Sequence, residues 1–219
     1  GLGTKELVAA EVRQRTGNSF YSHIGQCTIA MIVNDVATLA TPFLVATHVA
    51  VGTSDWFADE GKCDTLIHGF QSTCIQSRCT WGPGETPVLA DMIVPGAAVL
   101  SGSANGIVHA KNPIRGEPHA GDVIIILTSS GVHANGLTLI RRIADKLPRR
   151  YETQLPSGRE FGEVVLTPTH LYAPFITDCL DAGAQINYAV NVTGPGWRKF
   201  MRHPKALSYR ITQALAPLE

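Results

Sequence analysis

Apolar positions mark out the elements of this chain before any other feature does. From His23 to Ala40 they fall at Ile24, Cys27, Ile29, Met31, Ile32, Val36 and Leu39, a helical spacing that Pro42 ends. Phe43 to Gly52 is β-branched and bounded by proline and glycine, which predicts a strand. Asp59 to Cys79 repeats apolar residues at Cys63, Leu66, Ile67, Phe70, Cys74 and Ile75, a second helix. Glu6 to Val12 reads as a short strand, and Thr80 to Met92 as a glycine- and proline-rich loop. Ile93 to Ala110 predicts a strand of small residues. Lys111 to Asp122 is rich in turn formers and is the best linker.

Beyond the linker, Val123 to Ser130 predicts a buried strand, and Ala134 to Leu147 an amphipathic helix. Leu166 to Gly183 predicts a helix with Thr167 as N-cap, Pro168 in its first turn and Gly183 as its stop. Ala184 to Trp197 reads as a strand entering a glycine turn. Helices and strands alternate irregularly on either side of residue 115, so the expected class is α+β in two layers.

Composition narrows the function. Of 219 residues, 44% are hydrophobic and 16% charged, and the formal net charge is zero. That balance argues against a general grip on nucleic acid and against a polybasic membrane anchor. The apolar runs fall short of the ~20 residues of a spanning helix, and no signal peptide is evident. Five cysteines without a CxxC pair suggest reduced thiols in a cytosolic protein.

Polar clusters flanked by glycine are the candidates for chemistry. In "GPGET", Glu85 is either an exposed turn acid or a hard oxygen ligand for Mg²⁺. Asn34 and Asp35 are poor helix-interior residues within an apolar pattern; Asp35 either lies on the polar face or holds a cation. "GLGTK" only loosely resembles a phosphate loop; by default Lys5 faces solvent, and otherwise it serves as a point charge for a phosphate. In "SSGVHANG" the chain turns from a strand into a helix whose first N–H groups attract anions. His133 there either caps and packs, or donates to a phosphate or moves a proton near neutral pH. Arg198, Lys199, Arg202, Lys205 and Arg210 form a local basic stretch, either a solvated face or a contact for phosphate.

In order, "GLGTK", "VND", "GPGET", "SSGVHANGLTLIRR", "VLTPTHLYAP" and "NVTGPGW" resemble the pattern DGVGTK, VND, GGET, SSGxHSNGYSLVR, LLTPTRIY and HITGGG of the aminoimidazole ribonucleotide synthetase family. This family is also called phosphoribosylformylglycinamidine cyclo-ligase. The resemblance runs from Gly1 to about Trp197. It implies a two-domain synthetase-like α+β fold. Residues 1–113 would form an N-terminal ATP-binding half that builds a dimer barrel, and 114–219 a C-terminal α/β half. Both would be incomplete: the family's aspartate before Gly1 and its continuation past residue 219 are expected outside this sequence.

The implied reaction is ATP-dependent closure of the imidazole ring of formylglycinamidine ribonucleotide in a cytoplasmic homodimer, without nucleic-acid or membrane partners. The alternatives are a silent nucleotide-binding relative and a related ATP-dependent kinase or synthetase. By resemblance, Asp35 and Glu85 would hold Mg²⁺ with Asn34 in support, and Gly3, Thr4, Lys5 and Thr86 would line the phosphate site. His133 and Asn135 would face the reacting end, Gly131 and Gly136 would let the backbone come close, and Thr193 and Gly194 would close the far wall. Three positions depart from the pattern: Pro83 replaces a glycine and so removes an N–H donor, Asn191 replaces a histidine, and Pro195 replaces a glycine.

Overall fold

A computed structural model describes residues 2–213. The fold is mixed α+β. A three-stranded sheet of order β2-β1-β3 comprises β1 (Thr41–Val51), β2 (Thr80–Glu85) and β3 (Ala98–Ile107). β1 runs antiparallel to β3 and parallel to β2. The helices α1 (Gly3–Thr16), α2 (Tyr21–Val36) and α3 (Glu60–Gln76) build the first layer with it. The shorter helices α4 (Leu137–Ala144), α5 (Phe161–Val165) and α6 (Ala173–Asp181) follow.

The α2 and α3 helices and strands β1 and β3 form where the apolar pattern places them. The two helices cross closely because each carries a glycine at the contact: a Cβ on Gly69 would sit 2.4 Å from the Ser22 carbonyl oxygen.

Five expected elements differ. Residues 6–12 belong to α1, not to a strand. Leu2, Lys5, Glu6, Ala9 and Val12 recur at helical spacing and are all buried, a stripe that a seven-residue window is too short to reveal. Gly17 ends α1 in the left-handed region, its N–H bonding to the Arg13 carbonyl. Residues 80–85, expected as loop, form β2. Gly82 and Pro83 occupy a register shift against Val45 and Thr47, where a missing N–H is tolerated.

Residues 123–130 are not a buried strand. No ladder pairs with them among the described residues, and Val123 and Ile125 are 84% and 82% exposed. Residues 184–197 likewise form no strand.

The fifth difference is the most instructive. The helix expected from Leu166 begins only at Ala173, with Pro174 in its first turn, and it does stop before Gly183. Residues 166–170 cannot be helical because side chains claim their carbonyls one after another. The Leu166 oxygen faces His23 Nδ1 at 3.2 Å, and that of Thr167 accepts from Lys5 Nζ at 3.2 Å. Pro168 accepts from Ser130 Oγ at 2.6 Å, Thr169 from Gln26 Nε2 at 2.9 Å, and His170 from Asn34 Nδ2 at 2.8 Å. Asn34 Oδ1 then accepts the N–H groups of Tyr172 and Ala173, at 2.9 and 3.3 Å.

Glu6 anchors the other side of α1. It is fully buried and accepts from Tyr21 Oη, Trp56 Nε1 and the Ala98 N–H. Burial raises its pKa, although these three donors oppose the rise. Arg150 and Arg78, both with positive φ, reach across the chain to Glu11 and Asp178 in two-toothed ion pairs.

Asn34→Ala leaves the His170 carbonyl and two N–H groups without their partner. We expect a loss of about 2–4 kcal/mol of stability in urea titration.

Candidate functional site

Lys5 is the centre of the site. It lies in the first turn of α1, and its side chain is fully buried. Its ammonium donates to Cys27 Sγ at 3.2 Å, the His133 carbonyl at 3.1 Å and the Thr167 carbonyl at 3.2 Å. Two of these acceptors are uncharged carbonyls, and Lys5 makes no ion pair with a carboxylate among the described residues. A buried cation without a counter-ion is costly, and the cost falls when an anion arrives.

The place for that anion adjoins it. A cavity of about 160 Å³ is lined by Leu2, Thr4 and Lys5 at the start of α1, and by residues 134–138 at the start of α4. The first N–H groups of a helix have no partner within the helix, and its dipole is positive at that end. Two such ends therefore meet at one hollow, with Lys5 in its lining. Gly136 makes the second end possible, since the turn into α4 requires φ of 81° there. The volume is below the ~300–1,000 Å³ of a pocket for a whole small molecule, so it suits an anionic group.

His133 stands beside this cavity rather than on its wall. Its Nε2 accepts from the Ser130 N–H at 3.1 Å and lies 3.0 Å from Ser130 Oγ, whose proton goes to Pro168. Because a backbone N–H can only donate, Nε2 carries the lone pair and the neutral ring holds its hydrogen on Nδ1. Burial, then the Lys5 charge and His170, push its pKa down to about 4. Proton transfer near neutral pH, one of the sequence expectations for His133, finds no support in this setting. The ring orders the turn that gives its carbonyl to Lys5.

Thr4, Lys5, Asn135 and Gly136 come together at the cavity. Gly194 adjoins them: a Cβ there would lie 3.4 Å from Asn135 Oδ1. Thr193 Oγ1 accepts from Lys199 Nζ at 3.1 Å. Gly3 packs on β3 near Val99, and Gly131 faces Val164 and Thr167. Asn34 is committed to the 170–173 backbone as described.

The two carboxylates expected to share a metal stand apart. Asp35, at the end of α2, accepts from Asn191 Nδ2 at 2.8 Å and Lys199 Nζ at 3.4 Å. Glu85 pairs in register with His48 and lines a second cavity of about 390 Å³, over residues 46–48, 83–85 and 101–103 of the three strands. Val36, next to Asp35, lies over Gly106, which pairs with Pro42. From Pro42 to His48 the strand advances roughly 20 Å. Thr86 is exposed beyond β2. No trio of His, Cys, Asp or Glu among the described residues is placed to hold a metal ion. Asp35 and Glu85 therefore do not fit a joint Mg²⁺ site.

Sequence reading missed Cys27, His170 and Tyr172 as neighbours of the site, although it had placed Ser130 there. Tyr172 Oη donates to the Thr128 carbonyl at 2.7 Å, and its ring and those of His133 and His170 lie about 6 Å apart. The α1 stripe was the available signal for Cys27. Once Lys5 falls on the buried face, it needs acceptors from whatever packs there.

No family model matches the chain. Individual proteins do match it. A phosphoribosylformylglycinamidine cyclo-ligase of Exiguobacterium sibiricum is 34% identical over 200 residues, covering 90% of this chain and 55% of that protein. The chloroplastic enzyme of Arabidopsis thaliana bearing the same name is 34% identical, covering 90% of this chain and 49% of its own length. A cyclo-ligase of a Picosynechococcus strain is 30% identical over 221 residues, covering 99% of this chain and 61% of its own. This chain is a relative of the phosphoribosylformylglycinamidine cyclo-ligases. It spans about half the length of the cyclo-ligases it matches. No helix among its described residues is long and apolar enough to cross a membrane.

The lowered pKa of His133 makes stability pH-dependent. The unfolded chain takes up its proton near pH 6.5, and the folded protein only near pH 4. The stabilisation from the neutral ring is present above 6.5 and is lost as pH falls toward 4. Urea titrations at pH 7 and pH 4.5 should show wild type losing about 2–3 kcal/mol more than His133→Gln over that interval.

Proposed function

We propose that this chain carries the phosphate-handling part of an ATP-dependent cyclo-ligase. The substrate is formylglycinamidine ribonucleotide and the product aminoimidazole ribonucleotide, a step of purine biosynthesis. One observation carries the reading: a hollow at two helix N-termini has Lys5 in its wall, a fully buried lysine that makes no ion pair among the described residues. The names of the relatives supply the reaction class.

In that reaction the formyl amide oxygen is phosphorylated by ATP, the amidine nitrogen attacks the same carbon, and orthophosphate leaves. Charge collects on phosphoryl oxygens at both stages. Lys5 and the first N–H groups of α1 and α4 are fixed in place to neutralise it. Thr4 and Asn135 line the same hollow and can hydrogen-bond the group held there. His133, neutral at pH 7, acts by positioning the turn.

In this reading residues 1–113 and 114–219 are the two halves of the synthetase, and the cavity belongs to both. β2 and β3, the edges of the sheet, are where a second copy would complete a barrel. The assembly is then a cytoplasmic homodimer that binds neither nucleic acid nor membrane.

A second reading is a nucleotide-binding relative without catalysis. The engagement of Asp35 by Asn191 and Lys199 favours it. The two separate by phosphate release from ATP with and without formylglycinamidine ribonucleotide. Substrate-dependent release supports the cyclo-ligase, and ATP binding without release supports the silent relative.

Lys5→Met should weaken orthophosphate binding at least about tenfold by calorimetry, a loss of ~1.4 kcal/mol or more. Unchanged binding removes the cavity from the reading. A monomer in light scattering removes the shared barrel.

A further inference from the structure

The resemblance leads one to expect a divalent ion on Asp35, and the structure places a different cation there. Lys199 lies on the 3₁₀ turn Gly196–Arg202. Its Nζ is 3.4 Å from Asp35 Oδ1, and Asn191 Nδ2 reaches the same oxygen at 2.8 Å. The Lys199 side chain is 18% exposed, whereas that of Asp35 is 55% exposed. The ammonium is thus the more buried partner. Its other contact, Thr193 Oγ1, is neutral. Lys199 depends on the Asp35 charge more than Asp35 depends on Lys199.

We propose that Lys199 is a built-in cation which replaces a divalent metal ion at Asp35. The inference goes beyond the cyclo-ligase reading and does not rest on it. A divalent ion on Oδ1 would sit within contact range of an ammonium, a like-charge arrangement with little water between to screen it. Asn191 presents an N–H donor to this carboxylate, the opposite of what a metal ligand presents. Glu85, the other expected ligand, faces the strands' own cavity.

The tether also has a direction. The Gly196 N–H bonds to the Thr193 carbonyl at 2.8 Å, closing the turn that carries Lys199. The same turn sets Gly194 against Asn135 on the wall of the smaller cavity. One short segment therefore supplies a cation to Asp35 and packs against Asn135, a residue that lines the anion hollow. The basic stretch 198–210 gains a specific member in Lys199, whereas Arg198 and Arg202 are exposed.

The test is Mn²⁺ uptake, read as loss of the free-ion signal in electron paramagnetic resonance, with no nucleotide present. Uptake is taken relative to the matching Asp35→Asn protein, so that ions bound elsewhere cancel. The expected result is no Asp35-dependent uptake by wild type. Lys199→Met should then take up about one ion per chain, at least about tenfold more tightly than wild type, and Lys199→Met/Asp35→Asn should lose it. Lys199→Arg keeps the charge and should behave as wild type. Lys199→Gln keeps a donor for Thr193 and replaces the Met variant if circular dichroism shows that variant unfolded. Asp35-dependent uptake by wild type overturns the proposal. So does a folded Lys199→Met or Lys199→Gln protein that takes up none. Neither result bears on whether the chain closes a ring, which phosphate release decides separately.

Discussion

Five consecutive carbonyls, from Leu166 to His170, set the constraint on which the rest of this structure depends. Each accepts from a side chain, and the donors come from α1, α2 and the 130–133 turn. Unpaired backbone oxygens in such a buried seam would be costly, so this segment fixes where those three elements sit. Lys5 is the donor that also carries charge. Its place in the first turn of α1 is electrostatically poor, because the helix dipole there already opposes a cation. The fold holds it by geometry, through two carbonyls and the Cys27 sulfur, beside the cavity that Lys5 helps to line.

The sequence shows the frame of the first layer clearly, because α2, α3, β1 and β3 each have a long and strongly periodic pattern. It shows less where tertiary partners decide. Thr167 and Pro168 have the residue types of a helix start, yet the Thr167 carbonyl is taken by Lys5 and that of Pro168 by Ser130, so the helix waits until Ala173. Gly82 and Pro83 look like loop, and are the bulge that lets β2 pair. In residues 123–127, exposed Val123, Ile125 and Leu127 alternate with half-buried Ile124 and Ile126, the period of a strand covered on one face. Sequence can announce that period but cannot supply the pairing backbone.

The site divides in the same way. Thr4, Lys5, Asn135 and Gly136 were visible from glycine-flanked motifs and do meet. Asp35 was visible as a misplaced acid, but its occupants come from residues 191 and 199, which no local pattern ties to α2. Glu6 escaped notice because its neighbours read as a strand, and a buried acid is recognisable only once the helical stripe is drawn.

The acceptors of Lys5 have a consequence for how the chain is made. Cys27 leaves the ribosome soon after Lys5, but His133 and Thr167 follow 128 and 162 residues later. Throughout that interval the ammonium of the nascent chain has one intended partner out of three, and water serves it in place of the other two. The buried setting of Lys5 is therefore completed only by carbonyls synthesised several seconds afterwards, at about 5–20 residues per second. Contacts of such long range make for slow folding. A chain organised around an early cation and late oxygens finishes the surroundings of its first helix late.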